Sequence, residues 1–110
     1  MTITNNNPSQ FNFFISNQQI GYIKYYIEYN QITIIWLCIL LEENRNKGYG
    51  SDMIKMFIKK IKKNMKNIRS IVLIPDKFDG INKNILCNFY EKNGFVQEVE
   101  CKPVYCYDFF

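Results

Sequence analysis

The chain has 110 residues, 47% hydrophobic and 16% aromatic, and a formal net charge of +4, which sets the scale at one domain with one modest core and excludes a disordered polyelectrolyte. No apolar run reaches the roughly 20 residues needed to cross a bilayer, and residues 1–10 have neither the basic nor the apolar segment of a secretory leader, so a cytoplasmic protein with no membrane partner is expected. The chain contains no histidine, which excludes Ser-His-Asp and Cys-His catalysis within it.

In chain order, residues 1–10 read as a flexible tail with Asn5-Asn6-Asn7-Pro8 as breakers, and 11–110 as the domain. Phe11, Phe13 and Ile15 alternate with other residues as in a strand. Asn17-Gln18-Gln19 reads as a turn and Gly21 to Tyr29 as a second strand, which makes an antiparallel hairpin. After a turn at Asn30-Gln31, Ile32 to Leu41 is almost wholly apolar, the pattern of a central strand buried on both faces.

Glu42 to Gly50 is polar, and from Ser51 the period becomes helical. Ile54, Phe57, Ile58, Ile61 and Met65 form one stripe, and Lys55, Lys59, Lys62, Lys63 and Lys66 lie largely off it. The lysine side reads as a solvated helix face, and a nucleic-acid accessory domain using that face is a further alternative. Ile71 to Ile74 is a short strand ended by Pro75, and Asn84 to Lys92 is a second helix stopped by Asn93-Gly94. Phe95 to Val99 and Val104 to Phe110 are closing strands. The order predicts an α/β (α+β) domain with a mixed, mainly antiparallel sheet and two helices. Cys38, Cys87, Cys101 and Cys106 form no CxxC pair and read as buried free thiols, so no metal is expected.

Arg45-Asn46-Lys47-Gly48-Tyr49-Gly50-Ser51 lies between the apolar strand and the first helix. Glycines there let backbone N–H groups turn toward one point, and the helix adds its free N-terminal amides and the positive end of its dipole. Such a junction binds phosphate or pyrophosphate. The loop lacks the Gly-Lys-Ser/Thr ending of a Walker A loop, and Met53 stands where a dinucleotide fingerprint needs a small residue. The form Arg/Gln-x-x-Gly-x-Gly, that of a coenzyme A pyrophosphate loop, fits at every fixed position.

The loop, followed at the right spacing by Asn84-Ile85-Leu86-Cys87-Asn88-Phe89-Tyr90-Glu91-Lys92-Asn93-Gly94-Phe95, resembles the GNAT superfamily of N-acetyltransferases over about nine tenths of the chain. The resemblance implies acetyl-CoA as cosubstrate and partner. It implies that the backbone of Ile39, Leu40 and Leu41 pairs with the pantetheine amides, and that main-chain groups of Arg45, Asn46, Lys47, Gly48, Tyr49, Gly50 and Ser51 hold the pyrophosphate. Asn84 would hydrogen-bond the pantetheine arm, Phe89 would pack against the coenzyme or the core, and Tyr90 would protonate the leaving thiolate. Asn84 as a plain helix cap and Tyr90 as core filler remain the alternatives.

An acceptor amine must lose a proton. Glu28, on the strand before the apolar one, and Asp76, just past the fourth strand, are the candidate bases, and water is the third. The sequence departs from the family in lacking the strand and two helices that usually precede the hairpin. The acceptor side is then open, completed by the second subunit of a homodimer, or absent. The expectation is transfer of an acetyl group to a primary amine on a protein, peptide or small molecule. The alternative is a catalytically inactive module of the same fold that binds CoA or a protein.

Overall fold

The computed structural model describes residues 1–7, 9–40, 48–74, 83–97 and 104–109, with the backbone alone for Asn6, Asn7 and Lys83. The elements are β1 (Thr2–Asn7), β2 (Gln10–Ile15), β3 (Gln18–Glu28), β4 (Gln31–Ile39), α1 (Tyr49–Asn64), β5 (Ser70–Leu73), α2 (Lys83–Lys92), β6 (Val96–Gln97) and β7 (Tyr105–Asp108). They build one sheet in the order β1-β2-β3-β4-β5-β7-β6. Every pairing is antiparallel except β4–β5, which the α1 crossover makes parallel. This is the mixed, mainly antiparallel α/β fold expected from the order of elements.

Three local readings change. Residues read as a tail include β1, which pairs Thr2 with Phe14 and Ile3 with Phe13 and packs Ile3 against the core. Its Asn run hides the strand, because backbone pairing to β2 outweighs poor local propensity. Only residues 8 and 9 separate β1 from β2. A strand therefore precedes the hairpin, and no helix pair stands between them. The hairpin turn is Ser16-Asn17, both left-handed at φ 51° and 66°, so Gln18 already belongs to β3. Two positive φ values match the twist of the flanking strands. Tyr29 likewise leaves the strand for the next turn, at φ 57°, and Glu28 pairs with Gln31.

The third correction concerns β4, which is not buried on both faces. Ile32 and Ile34 are buried, but Ile35 is 55% exposed and Trp36 to Ile39 are half-buried. Both helices lie on one side. Phe57 of α1 meets Phe11 and Tyr25 edge-on at 5.4 and 5.6 Å, and Phe11 and Tyr25 stack at 5.2 Å. Asn93, just after α2, bonds Ser51 of α1, which puts α2 on that same side. With no helix pair between β1 and β2, nothing described covers the other face. The molecule is 19 Å thick along its short axis, the depth of one sheet and one helix layer. Its outer face carries Asn12, Phe14, Tyr22, Lys24, Tyr26 and Trp36, at alternating positions that are half-buried or exposed.

Helix α1 buries Met53, Ile54, Phe57, Ile58 and Ile61. Met53 fits because Gly21 on β3 has no side chain. A Cβ there would overlap the Cys38 carbonyl oxygen and stand 2.8 Å from the Met53 methyl carbon. Gly21→Ala is therefore expected to destabilise the fold by about 1–3 kcal/mol, the usual range for overpacking, as measured by urea denaturation. An unchanged midpoint would show that the strand and helix can separate without loss.

Candidate functional site

The site begins where β4 and β5 part. They share register from Gln31–Ser70 to Thr33–Val72, and β4 then runs on to Ile39. Opposite Lys24 and Tyr25, β4 places Trp36 and Ile34, so Ile35 is an inserted residue. Such a bulge strengthens local twist and turns a strand away from its neighbour. Leu40 N–H donates to Ile20 O on β3 at 2.9 Å. The alternation of an antiparallel ladder then turns the amide groups of Ile39 and Leu37 toward the opposite, diverging edge. Of the expected pantetheine-pairing residues, Ile39 faces that edge, Leu40 gives its N–H to β3, and Leu41 lies outside the described residues. Leu37 joins the edge; the period-2 alternation counted back from Ile39 is the sequence signal for it.

Past the end of β4 stands the first turn of α1. Gly48 is its N-cap at φ 79°, a left-handed conformation that favours glycine, and no side chain caps the helix. The first helical bond is Asp52 N–H to Gly48 O at 3.1 Å. The N–H groups of Tyr49, Gly50 and Ser51 precede it and have no partner within the helix. A Cβ placed on Gly48 would meet nothing within 4 Å among the described residues, so the turn opens on space there. Uncapped amides, a positive dipole end and open space together fit an anion. Arg45, Asn46 and Lys47 lie outside the described residues.

Helix α2 braces this turn. A Cβ on Gly50 would stand 3.1 Å from the Phe89 ring, so the two helices meet closely there. Asn93 Nδ2 donates to Ser51 Oγ at 3.2 Å and to Phe89 O at 2.8 Å. Gly94, at φ 93°, closes α2, with its N–H on Glu91 O and the Phe95 N–H on Tyr90 O. That pattern is a Schellman motif. Asn93-Gly94 was legible as a helix stop, but the bond to Ser51 spans 42 residues and had no sequence signal.

Phe89 thus touches the candidate anion turn. Tyr90 is buried, with Phe89 and Phe95 edge-on at 5.0 and 5.7 Å. Loss of hydration pushes the Tyr90 phenol up to about 12. Asn84 is exposed within the first turn of α2, which begins at Lys83, so it is not the residue preceding the helix. Glu28 is exposed and pairs with Gln31, at the end of the sheet where β4 still holds β5. The structure does not bring it to the diverging segment. Asp76 lies outside the described residues.

One cluster was not anticipated. The buried Tyr105 of β7 donates to Glu91 Oε1 at 3.0 Å and shares a hydrogen bond with Cys87, one helical turn away on α2. The bond to Cys87, then desolvation, then Glu91 raise the Tyr105 phenol above its ordinary range. The i, i+4 spacing of Cys87 and Glu91 was the signal available. Among the described cysteines, Cys38 and Cys87 are half-buried and Cys106 is buried, all as free thiols.

The residue pattern of the acetyltransferase (GNAT) domain family matches residues 9–97. No curated protein sequence matches the chain. Among solved structures, the anti-CRISPR protein AcrVA5 superposes with a TM-score of 0.67 at 23% identity, over 91% of this chain and 99% of that one. PaiA N-acetyltransferase from Thermoplasma acidophilum, solved with coenzyme A, gives 0.70 at 24% identity, over 91% of this chain and 60% of its own. Tetrahymena GCN5 gives 0.68 at 14% identity, over 94% and 71%. The chain thus spans the full length of one of these neighbours and about three fifths of another. At these identities the likeness is one of fold.

Asn93→Ala removes the bond from the end of α2 to Ser51 in the first turn of α1 and the bond back to Phe89 O of α2 that orients it. It is expected to destabilise the protein by about 1–2 kcal/mol, from two hydrogen bonds at the usual net contribution. Faster amide exchange should localise to Gly50–Met53 and Phe89–Phe95. Unchanged exchange in both segments would show that the helices are braced elsewhere.

Proposed function

The chain belongs to the GNAT acetyltransferase domain family, and on that basis we propose that it transfers an acetyl group from acetyl-CoA to a primary amine by direct attack. The observation that carries this reading is the uncapped, glycine-opened first turn of α1 beside the diverging edge of β4. An anion cradle and a free strand edge, end to end, match a ligand with a pyrophosphate followed by an amide-bearing arm. Bound acetyl-CoA would supply an activated thioester carbonyl; the rest of the chemistry belongs to the protein.

In this reading the amides of Tyr49, Gly50 and Ser51 hold the pyrophosphate, and Arg45, Asn46 and Lys47 complete the loop. The Ile39 and Leu41 backbone pairs with the arm, with Asn84 at its side and Phe89 against it. A backbone N–H on the diverging edge polarises the carbonyl. Tyr90 serves the departing sulfur. Its phenol, near 12, lies well above a thiol near 8.5, so the proton stays on oxygen and the phenol donates a hydrogen bond to the developing thiolate. Such a bond to a charged group is worth about 1.5–3 kcal/mol. Asp76, which follows β5 in sequence, and water are the candidate bases; Glu28 sits at the closed end of the sheet. The uncovered sheet face and the two-residue β1–β2 connection favour an amine on a protein or peptide, which can approach without passing between helices.

Gly48→Glu is expected to abolish acetyl-CoA binding in calorimetric titration, because a carboxylate would enter the cradle on a backbone that is left-handed. Unchanged affinity would remove the loop from the site. Tyr90→Phe should keep binding and lower kcat about 100-fold, the equivalent of one charged hydrogen bond. Glu28→Gln should leave turnover unchanged. The wild-type rate should rise with pH as the acceptor amine loses its proton, and Tyr90 should impose no falling limb until pH approaches 12, since a raised pKa keeps the phenol protonated below it. Selective acetyl-CoA binding without transfer to any amine would instead favour the inactive module, a reading consistent with Tyr90 packed in the core.

A further inference from the structure

We propose that the outward face of α1 docks on the phosphate backbone of duplex nucleic acid. The stretch from Tyr49 to Ile74 carries seven of the chain's fourteen basic residues and one of its ten acidic ones. On α1, Lys55, Lys59, Lys62 and Lys63 are all exposed, and Lys66 extends the row into the turn after it. At 100° per residue these lysines share one stripe, opposite the buried Met53, Ile54, Phe57, Ile58 and Ile61. None of them makes an ion pair among the described residues.

Surface helices ordinarily intersperse carboxylates with lysines, because opposite charges at i, i+3 and i, i+4 attract and like charges repel. Here Lys59 faces Lys55, Lys62 and Lys63 at those spacings. The single acidic residue of the helix, Asp52, sits in its first turn at i, i+3 from Lys55, and Lys59, Lys62 and Lys63 have no acidic residue at those spacings on the helix. Favourable placement at the helix C-terminus explains Lys62 and Lys63, and Asp52 accounts for Lys55; neither explains Lys59. The face is repulsive by itself and becomes favourable only against a surface of negative charge.

The geometry selects the kind of polyanion. Lys55 to Lys63 form a straight row about 12 Å long at 1.5 Å per residue. Over that length a duplex presents roughly seven phosphate charges. The row holds no aromatic side chain on which an unpaired base could stack, and the apolar side of the helix is committed to the core, so the helix cannot insert into a lipid interface. Arginine forks for base edges are also missing from the row, so it would grip backbone and not read sequence. The row runs away from Gly48, so occupation of it leaves the first turn of α1 free. The inference does not depend on acetyl transfer.

The test is fluorescence anisotropy of a labelled 20-base-pair duplex titrated with the protein between 0.05 and 0.3 M KCl, with polyglutamate and phosphatidylserine vesicles as competitors. Wild type should bind at 0.15 M KCl, with a slope of log affinity against log salt of about −4.5, as for about five phosphate contacts. Lys59→Glu should weaken binding about 30-fold and flatten the slope by one or two. The same variant should melt at a higher temperature, because it turns three repulsive spacings into attractive ones. Weaker binding by a more stable protein cannot be a folding defect. No binding at 0.15 M KCl, a flat salt response, or full affinity in Lys59→Glu would overturn the proposal. So would displacement by polyglutamate or vesicles as effective as by unlabelled duplex, since the partner would then be an acidic protein or a membrane.

Discussion

Strands β4 and β5 pair from Gln31–Ser70 to Thr33–Val72 and then separate, while β4 continues to Ile39. The rest of the site follows from that divergence. Backbone N–H and C=O groups require partners, so a strand edge that leaves its neighbour in mid-sheet is a candidate binding surface. The inserted Ile35 re-aims β4 at the point of departure. The parallel crossover then sets the first turn of α1 beyond the open end, because a β-α-β connection must begin at the C-terminal end of its first strand. The proposed edge for an extended arm and the proposed helix terminus for its phosphates arise from one topological event.

A second constraint is thickness. With both helices on one face, the core is a single layer between the sheet, α1 and α2, built on the Phe11, Tyr25 and Phe57 cluster and the Tyr90, Phe95 and Tyr107 chain of rings. Gly21 lets α1 approach the sheet through Met53. The other face of the sheet carries aromatic, amide and lysine side chains that tolerate water. The approach to β4 is therefore wide on that side, which is why the acceptor is read as a macromolecular amine.

Electrostatics divides the molecule along α1. Its first turn offers amides and a dipole end to an anion, and its flank offers a row of lysines that repel one another. Tyr90 answers to burial instead: loss of hydration holds its phenol neutral, which makes it a donor throughout the ordinary pH range. One helix thus bears both candidate anion surfaces, at its end and along its side, and the packing of Ile54, Phe57 and Ile61 fixes both.

Much of this was legible in the residues. The change from period 2 to period 3.6 located α1, Asn93-Gly94 located the end of α2, and the glycine pattern at Gly48 and Gly50 marked the anion turn, because each is a local rule of backbone geometry. The Asn-rich β1 was invisible, since its strand exists only by pairing with β2. The apolar run of β4 suggested burial on both faces, yet whether a face is covered depends on elements elsewhere in the chain. The outward turn of Leu37 and Ile39, the Asn93–Ser51 bond and the Cys87–Tyr105–Glu91 cluster join residues distant in sequence. Periodicity and glycine by themselves determined most of the elements and marked a candidate anion turn; only the tertiary structure decided which strand edge is open and which sheet face is bare, because both depend on contacts between segments that sequence spacing does not encode.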